Sequence, residues 1–219
     1  IRPEISALEL SGIGKIAIGA LDDPEVIPLW FGESDIVTPD FIRDAAKAAM
    51  DAGKTFYSYT RGHTALRQAL HRYHRRIYGI DLDPDRISSP GSTMLTVTIA
   101  AQCMVRQGDE VVVIGPNWPN IDTVVKIAGG RPVPVRPGED SSGWHLDLDA
   151  VAAAVGAKTR ALYVNSPSNP SGAAYSAEQL RPVLEVVERH PQVWLLADDI
   201  YEHIRFTGDS FRQQCFSGT

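Results

Sequence analysis

Three short apolar runs, Val111 to Ile114, Ala161 to Val164 and Val193 to Ala197, are separated by stretches long enough to hold helices and carrying helical periodicity. A short, wholly apolar run reads as a strand buried on both faces, and strands joined by helix-length crossovers run parallel. The chain is therefore expected to be α/β, a mainly parallel sheet between two layers of helices. Its ligand site is expected at the carboxyl ends of the strands. With 219 residues, 43% of them hydrophobic and 22% charged, it can bury a core of its own.

The intervening segments supply the helices. Thr38, Pro39 and Asp40 read as an N-cap, a proline at the first helical position and a first-turn acid, with Phe41, Ala45 and Ala49 following before Gly53. A second helix carries Leu66, Leu70, Tyr73 and Ile77 and stops at Gly79, with Arg67, Arg72, Arg75 and Arg76 on a solvated side. A third follows Gly91 and aligns Leu95, Ile99 and Cys103 on a buried face. After Val111 to Ile114 come a turn from Pro116 to Pro119, a short helix with Ile121, Val124 and Val125, and a further strand from Arg131 to Val135. Leu148, Val151 and Val155 mark another helix. Ser176 and Gln179 form a capping box for one carrying Leu180, Leu184 and Val187, in which Pro182 removes an amide and disturbs the first turn.

Composition narrows the function. A net charge of -6 with no stripe of Lys and Arg argues against nucleic acid as a partner. No apolar run reaches membrane-spanning length, so no membrane partner is expected. Cys103 and Cys215 make no disulfide framework, which favours a reducing compartment; nothing from Arg2 to Ala20 resembles a signal sequence, so a cytoplasmic location is expected. Gly12 to Lys15 is too short for a P-loop, and no Gly-x-Gly-x-x-Gly follows a strand. His71 and His74 lie in arginine-rich surroundings, which favours a solvated face over a metal site, and no metal is expected.

The candidate chemistry falls at the strand ends. Gly91, Ser92 and Thr93 enter a helix, where free amides, the helix dipole and two hydroxyls suit a phosphate, although such residues are also ordinary caps. Trp118 follows a strand and offers its ring either to a flat heterocycle or to the core. Asn165 to Gly172 packs prolines and asparagines into a shaped loop or a long turn. Asp198 ends an apolar run, where a carboxylate is costly without a cationic partner such as a protonated pyridine nitrogen. Tyr201, three positions on, is placed to reach an oxygen of the same ring or to sit at an interface.

Taken in order, these pieces resemble the pyridoxal-phosphate-dependent class I/II aminotransferases of the aspartate aminotransferase fold (fold type I). The likeness runs from about Pro28 to Gly208. It also takes in Gly32 to Asp35, Tyr57 with Gly62, Leu66 with Arg67, Gly108 to Glu110, Pro116 to Pro119 and Ala128 to Gly130. The resemblance implies pyridoxal 5'-phosphate as cofactor. It assigns Gly91, Ser92 and Thr93 to the cofactor phosphate, Trp118 to stacking on the ring, and Asn169 and Tyr201 to the ring's 3-oxygen. Asp198 would keep the ring nitrogen protonated, making Asp198 and Tyr201 the catalytic pair. Tyr57 would reach the phosphate of a neighbouring subunit, so a homodimer with shared active sites is implied, and Gly32 and Asn169 would lie by the substrate.

The implied reaction is transfer of an amino group between an amino acid and a 2-oxo acid. A carbon-sulfur lyase or decarboxylase of the same fold, or an inactive cofactor-binding fragment, is the alternative. Residues 1–36 would be an N-terminal arm with a small-domain segment, and residues 37–219 a large cofactor-binding domain, incomplete at its C-terminal end. The family's Schiff-base lysine follows the Asp-x-x-Tyr strand in a Ser-x-Ser-Lys-like segment. Nothing of that kind occurs between Gly208 and Thr219, so the lysine is expected beyond residue 219; Lys15, Lys47, Lys54, Lys126 and Lys158 lie in segments that the family does not use for it.

Overall fold

The computed structural model describes residues 1–9, 11–141, 143–204 and 206. In chain order the elements are α1 (Pro3–Ser6), α2 (Gly12–Ala20), α3 (Asp40–Asp51), α4 (Thr64–Tyr78), a 3-10 turn (Pro84–Arg86), α5 (Thr93–Met104), β1 (Glu110–Ile114), α6 (Pro119–Ile127), β2 (Arg131–Val135), β3 (Gly138–Asp140), β4 (Gly143–His145), α7 (Leu148–Ala154), β5 (Thr159–Asn165), α8 (Ala177–Glu188) and β6 (Trp194–Asp198). Strands β2, β1, β5 and β6 lie side by side in that order, every pair parallel, while β3 and β4 form a separate antiparallel hairpin.

Alternation along the strands sorts their side chains into two layers. Val112, Ile114, Leu162 and Val164 pack with Val151 of α7 and with Leu180, Val183 and Val186 of α8. Val111, Val113, Ala161 and Tyr163 pack on the opposite face with Ile121 and Val125 of α6 and with Val105 after α5. Each valine, leucine or isoleucine among them, removed from water, contributes roughly 1.5–3 kcal/mol toward folding. The expected α/β/α layering and the parallel sheet are both present.

The strand order also sets where a ligand can enter. From β1 the chain goes through α6 to β2 on one side, whereas from β5 it goes through α8 to β6 on the other. The order thus reverses between β1 and β5, and a crevice opens at their carboxyl ends. Helix ends follow local chemistry. Gly79 closes α4 in the left-handed conformation that glycine tolerates. The capping box at Ser176 is complete, its hydroxyl accepting from Gln179 N at 3.3 Å and the Gln179 side chain accepting from Ser176 N at 2.8 Å.

Several sequence expectations are corrected. Pro39, not Thr38, is the N-cap of α3, and it makes no side-chain cap bond. Helix α5 exposes Leu95, Ile99 and Cys103 and buries Ala101; it is apolar on nearly every side, so periodicity could not choose the inward stripe. Helix α8 turns Val183 and Val186 inward with Leu180, and stays helical through Pro182. Arg67 is not solvated: its guanidinium donates to Ile87 O at 2.7 Å and Pro84 O at 2.6 Å, holding the 3-10 turn against α4. His71 and His74 are half-buried, bonded to Asp81 and to Leu70 O respectively. In strand β6 Trp194 and Ala197 are exposed, so among the described residues it is not covered on both faces. No described helix is long and apolar enough to cross a membrane, and Cys215 lies outside the described residues.

Candidate active site

The loops that leave β1, β5 and β6 converge at the carboxyl edge of the sheet, where Thr93 at the start of α5 joins them. Together they line a cavity of about 200 Å³ formed by Thr93, Trp118, Asn165, Asn169, Asp198, Ile200 and Tyr201. Five of the residues singled out from sequence are thus brought to one place: Thr93, Trp118, Asn169, Asp198 and Tyr201.

The floor is held by Asn165, the last residue of β5. Its amide nitrogen donates to Asp198 O at 2.8 Å, and its amide oxygen accepts from Asn169 N at 2.7 Å. One buried side chain therefore ties the end of β6 to the asparagine-proline loop. That loop closes on itself through Ser168 N to Ala173 O and Gly172 N to Ser168 O, and Ser166 Oγ accepts from Tyr175 N. The Ser166–Pro167 and Asn169–Pro170 peptide bonds are cis.

Asp198 stands half-buried at the end of β6. One carboxylate oxygen accepts from the Tyr163 hydroxyl at 2.7 Å and the other from Ile200 N at 3.3 Å. Both of these donors are neutral. Burial, and then the bond to Asp198, push the Tyr163 hydroxyl well above the ordinary phenol range, so it stays protonated and donates. The Asn169 amide donates to the Tyr201 hydroxyl at 3.3 Å, which sets those two groups side by side over the floor. Glu202, next along, accepts from the Tyr73 hydroxyl at 2.5 Å, so α4 anchors the turn that carries Tyr201.

Opposite them, Trp118 precedes α6 and is steadied by Asn117, whose amide donates to Trp118 O at 3.1 Å and to Asp122 at 3.4 Å. Ser92 is the N-cap of α5, its hydroxyl accepting from Leu95 N at 3.3 Å, which leaves its own proton to donate. Gly91, at φ +139°, holds a backbone conformation that side-chain-bearing residues rarely adopt. Gly91 and Ser92 are exposed beside the cavity but do not line it. Gly32 and Tyr57 are exposed and lie outside it, in segments without regular structure.

Sequence reasoning passed over Tyr163 and Ile200 as site residues. Tyr163 sits inside an apolar run and reads as core; the only available signal was a hydroxyl-bearing residue in a strand whose neighbour ends in a carboxylate. The convergent set suits a flat cationic heterocycle with a ring oxygen and a phosphate. It offers a carboxylate for a protonated nitrogen, a phenol and an amide for an oxygen, an indole for a face, and a helix N-terminus for a dianion. Pyridoxal phosphate fits this donor set.

The family model described as "Aminotransferase class I and II" matches residues 24–217. An aspartate aminotransferase of Rhizobium meliloti (strain 1021) is 38% identical over 211 residues, which cover 94% of this chain and 51% of that protein. An aspartate/prephenate aminotransferase of Cereibacter sphaeroides is 38% identical over 187 residues, 85% of this chain and 46% of that protein. Among solved structures, the crystal structure of the Rhizobium meliloti aspartate aminotransferase superposes with a TM-score of 0.87 at 37% identity, over 96% of this chain and 54% of that one. The Thermus thermophilus aspartate aminotransferase with maleate superposes at 0.88 with 31% identity, over 96% and 56%. The chain spans about half the length of the relatives that it matches.

Proposed function

Because this chain belongs to the class I and II aminotransferase family, whose members use pyridoxal 5'-phosphate, we propose that it forms the cofactor floor of an enzyme that transfers an amino group between an amino acid and a 2-oxo acid. The observation that carries this reading is the convergence of Asp198, Tyr201, Asn169, Trp118 and Thr93 on one cavity at the sheet's switch point.

Each residue has a task in that reaction. The Asp198 carboxylate would hold a proton on the ring nitrogen. Tyr201 and Asn169 would donate hydrogen bonds to the ring oxygen, and Trp118 would cover a ring face and keep water from it. Thr93, with Gly91 and Ser92 beside it, would receive the phosphate at the N-terminus of α5, where the helix dipole favours negative charge. Bound there, pyridoxal phosphate supplies the electron sink that lets a proton leave the substrate's α-carbon. Gly32 and Asn169 are proposed to lie by the substrate, with residues 1–36 forming an arm and small-domain segment and the remainder the large domain.

The names of the relatives favour aspartate as the first amino donor to try. The test uses the full-length protein with pyridoxal phosphate, L-aspartate and a 2-oxo acid acceptor. Formation of the amino acid derived from the acceptor, matched by the 2-oxo acid of aspartate, is the expected result. Release of ammonia or carbon dioxide without a new amino acid would overturn it in favour of lyase or decarboxylase chemistry.

A further inference from the structure

We propose that Tyr163 is a positioning residue for the Asp198 carboxylate, a role that rests on the reading of the site given above. The sheet register makes the contact possible. Tyr163 pairs with Leu196 on β6, so Asp198, two residues further along, projects from the same face. A diagonal neighbour at that spacing is within reach of a long aromatic side chain, and the phenol oxygen lies 2.7 Å from Asp198 Oδ2.

The surroundings say what the hydroxyl is for. Tyr163 is 3% exposed and packs in a cluster whose other buried members are Val105, Val111, Val113, Ile121, Val125 and Ala161. A phenylalanine would satisfy that packing equally well, whereas a buried hydroxyl is costly unless it is bonded. Its bond goes to Asp198. Because burial keeps the phenol protonated, it serves as a donor to an anionic acceptor, the stronger kind of hydrogen bond. Ile200 N donates to the other oxygen. Two donors from different directions fix the plane of the carboxylate, and its remaining lone pairs are left for a ring nitrogen in the cavity. Tyr163 touches no ligand itself; it acts through Asp198.

The test is equilibrium binding of pyridoxamine phosphate, which needs no bond to a lysine, to the cofactor-free full-length protein. Tyr163→Phe is expected to weaken binding about tenfold, the scale of a hydrogen bond to a charged group. In the Asp198→Asn background the same change is expected to have little effect, because no carboxylate remains for the phenol to hold toward the ring nitrogen. With ¹⁵N in the cofactor ring, the nitrogen signal of Tyr163→Phe should move toward that of the unprotonated ring, which a loss of packing alone would not produce. Equal weakening in both backgrounds, no weakening, or an unmoved nitrogen signal would overturn the role. Should Tyr163→Phe fail to fold, Tyr163→Met removes the donor while filling much of the same space, and the same outcomes apply. If the wild type binds and responds to Asp198→Asn but not to the change at 163, only this inference falls. If the wild type does not bind pyridoxamine phosphate, the functional reading falls and this role with it.

Discussion

Asp198 is the residue on which the proposed chemistry turns, and its position allows a clean probe. It is half-buried and belongs to neither core cluster, so truncating it removes no apolar packing, although it takes from the Tyr163 hydroxyl its acceptor. Asp198→Ala in the full-length protein is expected to slow exchange of the substrate α-proton by on the order of a hundredfold or more, the scale at which losing one preorganised charge-stabilising group acts. Deuterium incorporation followed by NMR measures it, with circular dichroism unchanged. Exchange at the wild-type rate would remove Asp198 from its role. At this scale the sequence was legible where residue type itself announces chemistry. A carboxylate after an apolar run, a tyrosine three positions on and an asparagine between prolines are each unusual enough to mark. Tyr163 was not legible, because its function lies in a contact across two strands and depends on register. The exposure of Cys103 was hidden for a similar reason, since α5 is apolar on more sides than it buries.

Among the elements, the strands were legible as short apolar runs and the long helices by near-fourfold recurrence, although recurrence misplaced the inward residues of α5 and α8. The starts of α5 and α8 followed from cap chemistry. Helices α1 and α2 and the hairpin β3–β4 went unread. Helix α1 is a single turn, α2 contains three glycines, and the hairpin strands are three residues each with Glu139, Asp140 and His145 among them, so none carries a readable apolar period. The capping box of α8 gives the prediction at this scale. That helix presents Leu180, Val183 and Val186 to the sheet, so loosening its first turn is felt in the core. Ser176→Ala is expected to cost about 1 kcal/mol, read as a lowered midpoint in urea with an unchanged slope. A variant as stable as the wild type would mean that the cap bonds contribute nothing net.

Across the whole molecule the site is assembled from distant stretches of chain, at residues 93, 118, 165–169 and 198–201, which only the strand order brings together. Tyr57 is fully exposed and does not line the cavity. We propose that it acts in the homodimer that the family resemblance implies, at the phosphate of a neighbouring subunit. Tyr57→Phe in the full-length protein is expected to raise the dissociation constant for pyridoxal phosphate about tenfold, the scale of one hydrogen bond to a charged phosphate. Unchanged retention during dialysis would argue against a shared site. The alternation that splits β5 and β6 between two helical layers has a consequence for inheritance. Inserting or deleting one codon between Trp194 and Asp198 would swing the carboxylate to the side occupied by α7 and α8, away from Tyr163 and the cavity. Exchanging one apolar residue there for another would leave it in place. In descendants of this gene the length of that strand should accordingly drift far less than its spelling.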